Sequence, residues 1–524
     1  MNKKWAPALL IKALGAIFCC NAIVAQAQFQ PPLRPQATAG LPRLGEAGAL
    51  DLTAERQLGD RIAQHIYRDP DYLDDPALVD YLDAIWQPLL AAAQARGDVP
   101  PDLAERFAWK LMPVRDRTVN AFALPGGYLG VHLGLMATVT SADELASVLA
   151  HELSHVSQRH ISRMVAQQDR QMPWIVGAMI LGALAASASK NADIGQAAVV
   201  GGQALAAQTQ LNFSRDMERE ADRVGYNVMT GAGFDGLAFV SMFDKLQQAS
   251  RLNDDGAFPY LRSHPLTTER MADMRARLPQ GSATQVPGRQ PAVSPVWHAM
   301  MAARAKVLAE TDTQRLNAAM GATTAKASTE GWGVQYGAAL AALRLKQPAE
   351  AWRRVQALLA QPQLEGRGRQ AAEWLALEVL VLGDLDAATH AGATAEMRKR
   401  ALQAPDRASV LWGAQVAIRW GQAALASDRL QTWVADRPGD AAAWHTLSMA
   451  WAAQGQTLRA VRAEAEARRA MLDLQGAVDR LRAARDSVRE RRDTDHVELS
   501  IIDARYRELS QLLREQQAAD KAKP

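Results

Sequence analysis

The sequence predicts a mainly α chain in two parts: a helical domain holding one small β-hairpin or sheet, followed by an α-solenoid. Three observations predict this. A capped, amphipathic stretch near residues 141–157 follows strand-like alternation between residues 107 and 132. A run rich in proline and glycine, residues 279–295, separates the halves. Beyond it, packing residues recur every 34 positions. A chain of 524 residues also exceeds what a single core holds, so two domains plus tails are expected.

Residues 1–27 read as a secretory signal, with Lys3 and Lys4, an apolar run from Ala8 to Val24, and Ala25-Gln26-Ala27 as the cleavage site. Ile17 and Phe18 before Cys19 argue against a lipoprotein; an uncleaved anchor is the alternative. Both cysteines, Cys19 and Cys20, lie in this segment, so the exported chain has no disulfide to form, and a metal site in it must use His and carboxylate. With 59 basic and 56 acidic residues, the balance leaves no electrostatic footprint for nucleic acid. A strap over residues 28–50 carries Pro31-Pro32 and no periodicity.

The first domain is expected over residues 51–280. Helical pattern starts near Leu52, breaks around Asp69-Pro70 and continues through Leu82, Ile85, Trp86 and Leu89. Phe107, Trp109 and Leu111 then alternate as in a strand, and residues 118–124 and 128–132 flank Pro125-Gly126-Gly127 as a hairpin. Asn120, Ala121 and Phe122 are the candidate edge strand for an extended substrate; the alternative is a hairpin that only packs on the next helix. Residues 174–188 are apolar and rich in small side chains, about 15 residues against the ~20 needed to span a bilayer. A buried helix, a flap over the cleft and a peripheral membrane contact all remain open for that stretch.

After a linker at residues 281–297, residues 298–479 read as helical repeats. Val410 aligns with Trp444, Gly421 with Gly455 and Ala426 with Ala460, each 34 residues apart, the tetratricopeptide period. Weaker copies surround residues 335–362 and 374–405. Stacked helical hairpins form a concave surface for peptide or protein, so the domain implies partners. Residues 480–524 hold a charged helix, expected as continuous over residues 480–517, that caps the solenoid.

The chemistry rests on His151-Glu152-Leu153-Ser154-His155. On a helix, positions i and i+4 share a face, so both imidazoles reach one cation while Glu152 faces the water it activates. Ser141 and Glu144 form a Ser-x-x-Glu capping box at the helix start, and Leu145, Val148 and Leu149 supply its apolar face. Zinc needs a further protein ligand, and residues 213–222 are the best source. Glu218 and Asp222 share a helix face, so one can ligate while the other holds a histidine by its second ring nitrogen. Glu220 lies off that face and reads as a solvated charge, although spacing alone does not choose Glu218 over it.

These residues, with Ser263-His264-Pro265 and Arg270, and with Asn120-Ala121-Phe122 before Pro125-Gly126-Gly127, resemble the gluzincin family that includes the HtpX-like and CAAX prenyl proteases. The resemblance implies one Zn2+ per subunit held by His151, His155 and Glu218, with Glu152 as general base and Asp222 as an accessory acid or a partner of the ligands. It places His264 and Arg270 at the cleft, where His264 either stabilises the oxyanion or caps the zinc as a fourth ligand.

Members that combine such a domain with a signal peptide, a Leu41-Pro42-x-Leu44-Gly45 strap and a tetratricopeptide tail imply an endopeptidase with chaperone-like activity in the Gram-negative periplasm. It would act on unfolded or misassembled outer-membrane proteins and meet the β-barrel assembly machinery through its repeats. The competing expectation is a chaperone or assembly scaffold that binds envelope proteins through the repeats and rarely cleaves.

Overall fold

The computed structural model describes residues 50–167, 213–252, 258–278, 293–323, 327–488 and 495–521. The expected signal sequence, the strap through residue 49, the apolar stretch 174–188 and the linker through residue 292 lie outside them. Among the described residues no helix is long and apolar enough to cross a membrane.

Helix α1 (Leu52–Arg68) starts where the Asp51 carboxylate accepts the Ala54 N–H at 2.8 Å. Helix α2 (Pro76–Arg96) has Asp75 as its cap, proline at its first position and Gly97 in the left-handed conformation (φ 80°) at its end. A short α3 (Pro101–Arg106) leads to a three-stranded sheet of β1 (Lys110–Val114), β2 (Ala121–Leu124) and β3 (Tyr128–His132), ordered β1-β3-β2. The expected hairpin is β2-β3, antiparallel, closed at Pro125–Gly127 by Gly126 and Gly127 at φ 74° and 84°. Strand β1 instead pairs parallel with β3 and begins three residues later than Phe107. Phe107 caps the end of α3 and Trp109 sits at φ 49°, so both are buried without belonging to the strand.

Sharing a core with this sheet and α2 are α4 (Leu133–Thr138), α5 (Ala142–Ser157), α6 (His160–Gln167), α7 (Arg215–Gly231), α8 (Leu237–Leu252), the one-turn α9 (Tyr260–Ser263) and α10 (Thr268–Arg277). The helices that follow are α11 (Pro295–Ala309), α12 (Thr313–Gly321), α13 (Thr329–Arg344), α14 (Pro348–Leu359), α15 (Gly366–Leu382) and α16 (Ala387–Gln403). Then come α17 (Arg407–Arg419), α18 (Ala423–Asp436), α19 (Ala441–Ala453), α20 (Thr457–Ala470), α21 (Leu474–Val488) and α22 (His496–Lys521). The mainly α expectation holds, with one small sheet. The pair α19-α20 repeats α17-α18 at 34 residues, down to the Asp406 and Asp440 caps and the left-handed Gly421 and Gly455 (φ 75° and 73°).

Two boundaries differ from expectation. The linker end at residue 297 falls inside α11, whose Trp297, Met300 and Met301 join Tyr81, Trp86 and Trp374 in one core. Composition marked a linker there, but burial makes α11 part of one continuous core that runs from α2 to α17. Arg304 seals the junction, paired with Asp75 at 2.5 Å and Glu378 at 2.7 Å and bonded to the Tyr336 hydroxyl at 3.1 Å, all buried. At the other end, the single helix expected over residues 480–517 is two. Residue 480 lies inside α21, and Asp495 caps α22 by accepting the Glu498 N–H at 3.0 Å. The charges conceal an apolar seam of Ala477, Val478, Leu481, Ala484, Ile502 and Leu509 that packs these helices together.

Candidate metal centre

Helix α5 carries the His-Glu-x-x-His element at the centre of the first domain. Ser141 caps it, its hydroxyl accepting the Glu144 N–H at 3.1 Å. Only half of the expected capping box forms. The Glu144 carboxylate accepts from the Thr140 N–H (2.7 Å), not from Ser141, and is held by Lys245 (2.5 Å) and the Ser241 hydroxyl (2.8 Å). From Glu144 to Ser157 every residue of α5 is buried.

Helix α7 lies across α5 at close range because of Gly225. A Cβ there would stand 3.1 Å from the Ala150 carbonyl and the His151 nitrogen, a contact backbone atoms do not readily relieve. Ser214 caps α7, accepting the Met217 N–H at 3.2 Å. The close crossing brings Glu218 and Asp222, both 1% exposed, against the α5 histidines. The third contributor is the loop after α9, which sets His264 between Tyr260 and Phe213; the rings stack with centroids 4.6 and 5.4 Å away.

Ligand atoms of His151, His155, Glu218 and His264 all lie within 4.8 Å of one another. His155 Nε2 is 3.0 Å from His151 Nε2 and 3.4 Å from Glu218 Oε1. His264 Nδ1 is 3.0 Å from Glu218 Oε1 and 3.3 Å from His151 Nε2. Four donors placed tetrahedrally ~2.1 Å from one cation would stand roughly 3.4 Å apart, so the spacing fits zinc. Charge agrees. The buried carboxylates of Glu218 and Asp222 converge on the α5 histidines with Arg270 beside them, a setting in which a divalent cation would be well balanced.

Glu152 is fully buried beside this set, its Oε1 3.4 Å from His264 Nε2, and neither carboxylate oxygen has a hydrogen-bond partner. Burial pushes its carboxyl above the ordinary range, opposed by the nearby His264 and His151. A carboxylate so placed accepts a proton readily. Burial also opposes charge on His151, but the Asp222 and Glu218 carboxylates beside it hold it up to about 9. Burial drives His155 well below the usual histidine value. Glu218 stays well below the carboxylate range because His264, His151 and His155 outweigh its burial.

Arg270 makes a fork on Asp222 at 2.7 and 2.8 Å, reaches Glu218 Oε2 at 2.7 Å and donates to the Pro265 carbonyl at 2.8 Å. Arg270 thus braces the two α7 carboxylates that face the histidines. Asp222, its Oδ1 3.0 Å from His151 Nδ1, is buried and fully engaged. Ala121 and Phe122 lie on β2, an outer strand of the sheet packed on α5. Asn120 directly precedes β2, with its carbonyl accepting the His132 N–H at 3.0 Å and its side-chain oxygen buried without a partner. The Tyr260 N–H meets the Val119 carbonyl at 3.4 Å, where that edge begins.

Three residues at the site had no place in the sequence reading. Tyr260 and Phe213 clasp His264, and Phe213 also lies 3.9 Å, centroid to centroid, from His155. His160, fully buried, has its Nδ1 2.9 Å from His155 Nδ1. Glu220 is a correction: its Oε2 accepts from His160 Nε2 at 3.0 Å and Arg163 at 2.8 Å, so it is a tethered carboxylate and not a free surface charge.

Comparison with known proteins matches residues 81–278 to peptidase family M48. The chain is 34% identical over 313 residues to a Vibrio cholerae protein provisionally named a beta-barrel assembly-enhancing protease, covering 59% of this chain and 60% of that one. It is 32% identical over 246 residues to the Beta-barrel assembly-enhancing protease of Escherichia coli, covering 46% and 47%. It is 31% identical over 172 residues to Mitochondrial metalloendopeptidase OMA1 of Schizosaccharomyces pombe, covering 33% and 47%. The matched regions thus span about half to three-fifths of these relatives. The α5-α7 crossing, its buried donor set and the neighbouring sheet all lie inside the stretch, residues 81–278, that matches peptidase family M48.

Proposed function

We propose that the chain is a zinc-dependent endopeptidase of the Gram-negative periplasm, exported by a cleaved signal peptide, that removes or assists misassembled outer-membrane β-barrel proteins. The observation that carries the proposal is the buried His151, His155, Glu218 and His264 donor set beside the unpartnered carboxylate of Glu152. The names of the relatives supply the substrate class.

His151, His155 and Glu218 would hold one Zn2+, whose chemistry when bound would be that of a Lewis acid, lowering the pKa of a water and polarising the scissile carbonyl. Glu152 takes the water's proton and returns it to the leaving amine. Strand β2, through residues 120–122, aligns an extended substrate by its free edge. Asp222 and Arg270 keep the ligands in place. The repeats, of tetratricopeptide type, gather the client and the β-barrel assembly machinery.

A specific observation favours the second reading as a resting state. His264 Nδ1 occupies a fourth donor position, so a closed site that seldom cleaves, and a chain that then acts as a chaperone or scaffold, follow from one geometry. Zinc-loaded protein incubated with a urea-denatured outer-membrane barrel should cut it, and chelation should stop the cutting. Full resistance of that substrate to the zinc-loaded wild type and to zinc-loaded His264→Ala alike would overturn the peptidase reading in favour of the scaffold.

A further inference from the structure

The donor set contains two α5 histidines whose ring nitrogens facing away from it are held differently. His151 Nδ1 lies beside a carboxylate, 3.0 Å from Asp222 Oδ1. His155 Nδ1 meets none; it faces His160 Nδ1 at 2.9 Å, and His160 Nε2 faces Glu220 Oε2 at 3.0 Å. Arg163 Nη1 fixes Glu220 at 2.8 Å. His160 is fully buried and begins α6, after a turn in which Arg159 adopts φ 53°. Arg159 is itself tied to the buried Glu55 at 3.0 Å and to the Leu50 carbonyl.

The hydrogen positions along this line are forced by what each atom can do. An ionised carboxylate only accepts, so His160 Nε2 carries a hydrogen. A neutral imidazole has one N–H, so His160 Nδ1 is then an acceptor. The nitrogen facing it, His155 Nδ1, must donate. That leaves His155 Nε2 with a bare lone pair among the donors of His151 and Glu218. The opposite arrangement would put an N–H on His155 Nε2 and block ligation.

We propose that His160, backed by Glu220 and Arg163, is the positioning residue of His155, setting the ring tautomer and orientation that let it bind the metal. It performs for His155 what Asp222 performs for His151, with one imidazole inserted between ligand and carboxylate. The proposal rests on the zinc reading above.

The test is zinc affinity by chelator competition at constant pH, together with the thermal midpoint of the metal-free protein and the visible spectrum of the Co2+ form. His160→Ala and His160→Phe should weaken zinc binding by about 10–100-fold, as losses of such partners do. The metal-free midpoint should move little and the Co2+ bands should shift. Glu220→Ala should weaken zinc binding, whereas Glu220→Gln, whose amide oxygen still accepts from His160 Nε2, should stay near wild type. Selective 15N labelling of histidine in zinc-loaded wild type reads the tautomer even where a variant fails to fold. A hydrogen on His155 Nδ1 supports the proposal, and one on Nε2 overturns it. Equal zinc affinity of wild type and His160→Ala overturns the positioning role alone; a wild type that binds no zinc overturns the metal reading and this proposal with it.

Discussion

Replacing Arg270 by alanine should destabilise the metal-free protein far more than the zinc-loaded one. The guanidinium is 4% exposed and makes three contacts of 2.7–2.8 Å to Asp222 and Glu218, each 1% exposed. Removing one partner of a buried ion pair costs about 3–5 kcal/mol, because the remaining charge keeps its desolvation cost. His151, raised to about 9, still faces Asp222, so the loss should fall in the lower part of that range, about 3–4 kcal/mol. Bound zinc supplies two positive charges beside the same carboxylates and should reduce the loss to roughly 1–2 kcal/mol. Arg270→Lys keeps the charge but cannot make the fork, and should lie between wild type and alanine. Urea unfolding of each variant, with chelator and with zinc, reads all three. A loss below about 1 kcal/mol in the metal-free protein, the size of an exposed pair, would refute the reasoning. Equal losses with and without zinc would refute the link between Arg270 and the metal.

Arg304→Met leaves Asp75 and Glu378 buried without their cation and should cost about 3–5 kcal/mol in urea unfolding; a change under about 1 kcal/mol would contradict the sealing role at the junction. His264→Ala should keep zinc on three ligands and raise cleavage in a peptide-bond assay, whereas lowered cleavage would assign it to the oxyanion and unchanged cleavage to neither. Burial raises Asp80 to about 7, opposed by the Ala408 N–H that donates to it at 2.7 Å. Between the ordinary aspartate value and 7 the folded chain therefore binds more protons than the unfolded one, so Asp80 lowers stability as pH rises through that window. Asp80→Asn keeps the acceptor and should gain on the order of 1–2 kcal/mol at pH 8 relative to pH 5 by thermal melting; a loss at pH 8 would contradict the sign.

The α5 helix, its Ser141 cap and the β2-β3 turn were legible because each depends on neighbours in sequence: hydroxyl to amide three residues on, imidazoles one turn apart, glycines where φ is positive. What depended on crossing elements was not. Glu218 and Glu220 are two residues apart on one helix, and only the approach of α7 permitted by Gly225 shows which of them meets the histidines. His160 stands five residues after His155, a spacing that leaves a straight helix face, and returns to it because the chain turns at Arg159. Alternation in β1 and β3 is the same whether strands run parallel or antiparallel, so their pairing was open. Proline and glycine near residue 290 resembled a boundary, whereas Trp297, Met300 and Met301 are buried in a core shared by the helices on both sides.

The central claim is that His151, His155 and Glu218 hold one zinc beside a base that is Glu152. Metal content and cleavage of a denatured barrel protein, measured on the same preparations of wild type and Glu152→Gln, test it most directly. The account predicts one zinc per chain in both, cleavage by the wild type and none by the variant. A Glu152→Gln protein that still cleaves, or a wild type that cleaves without zinc, would contradict it.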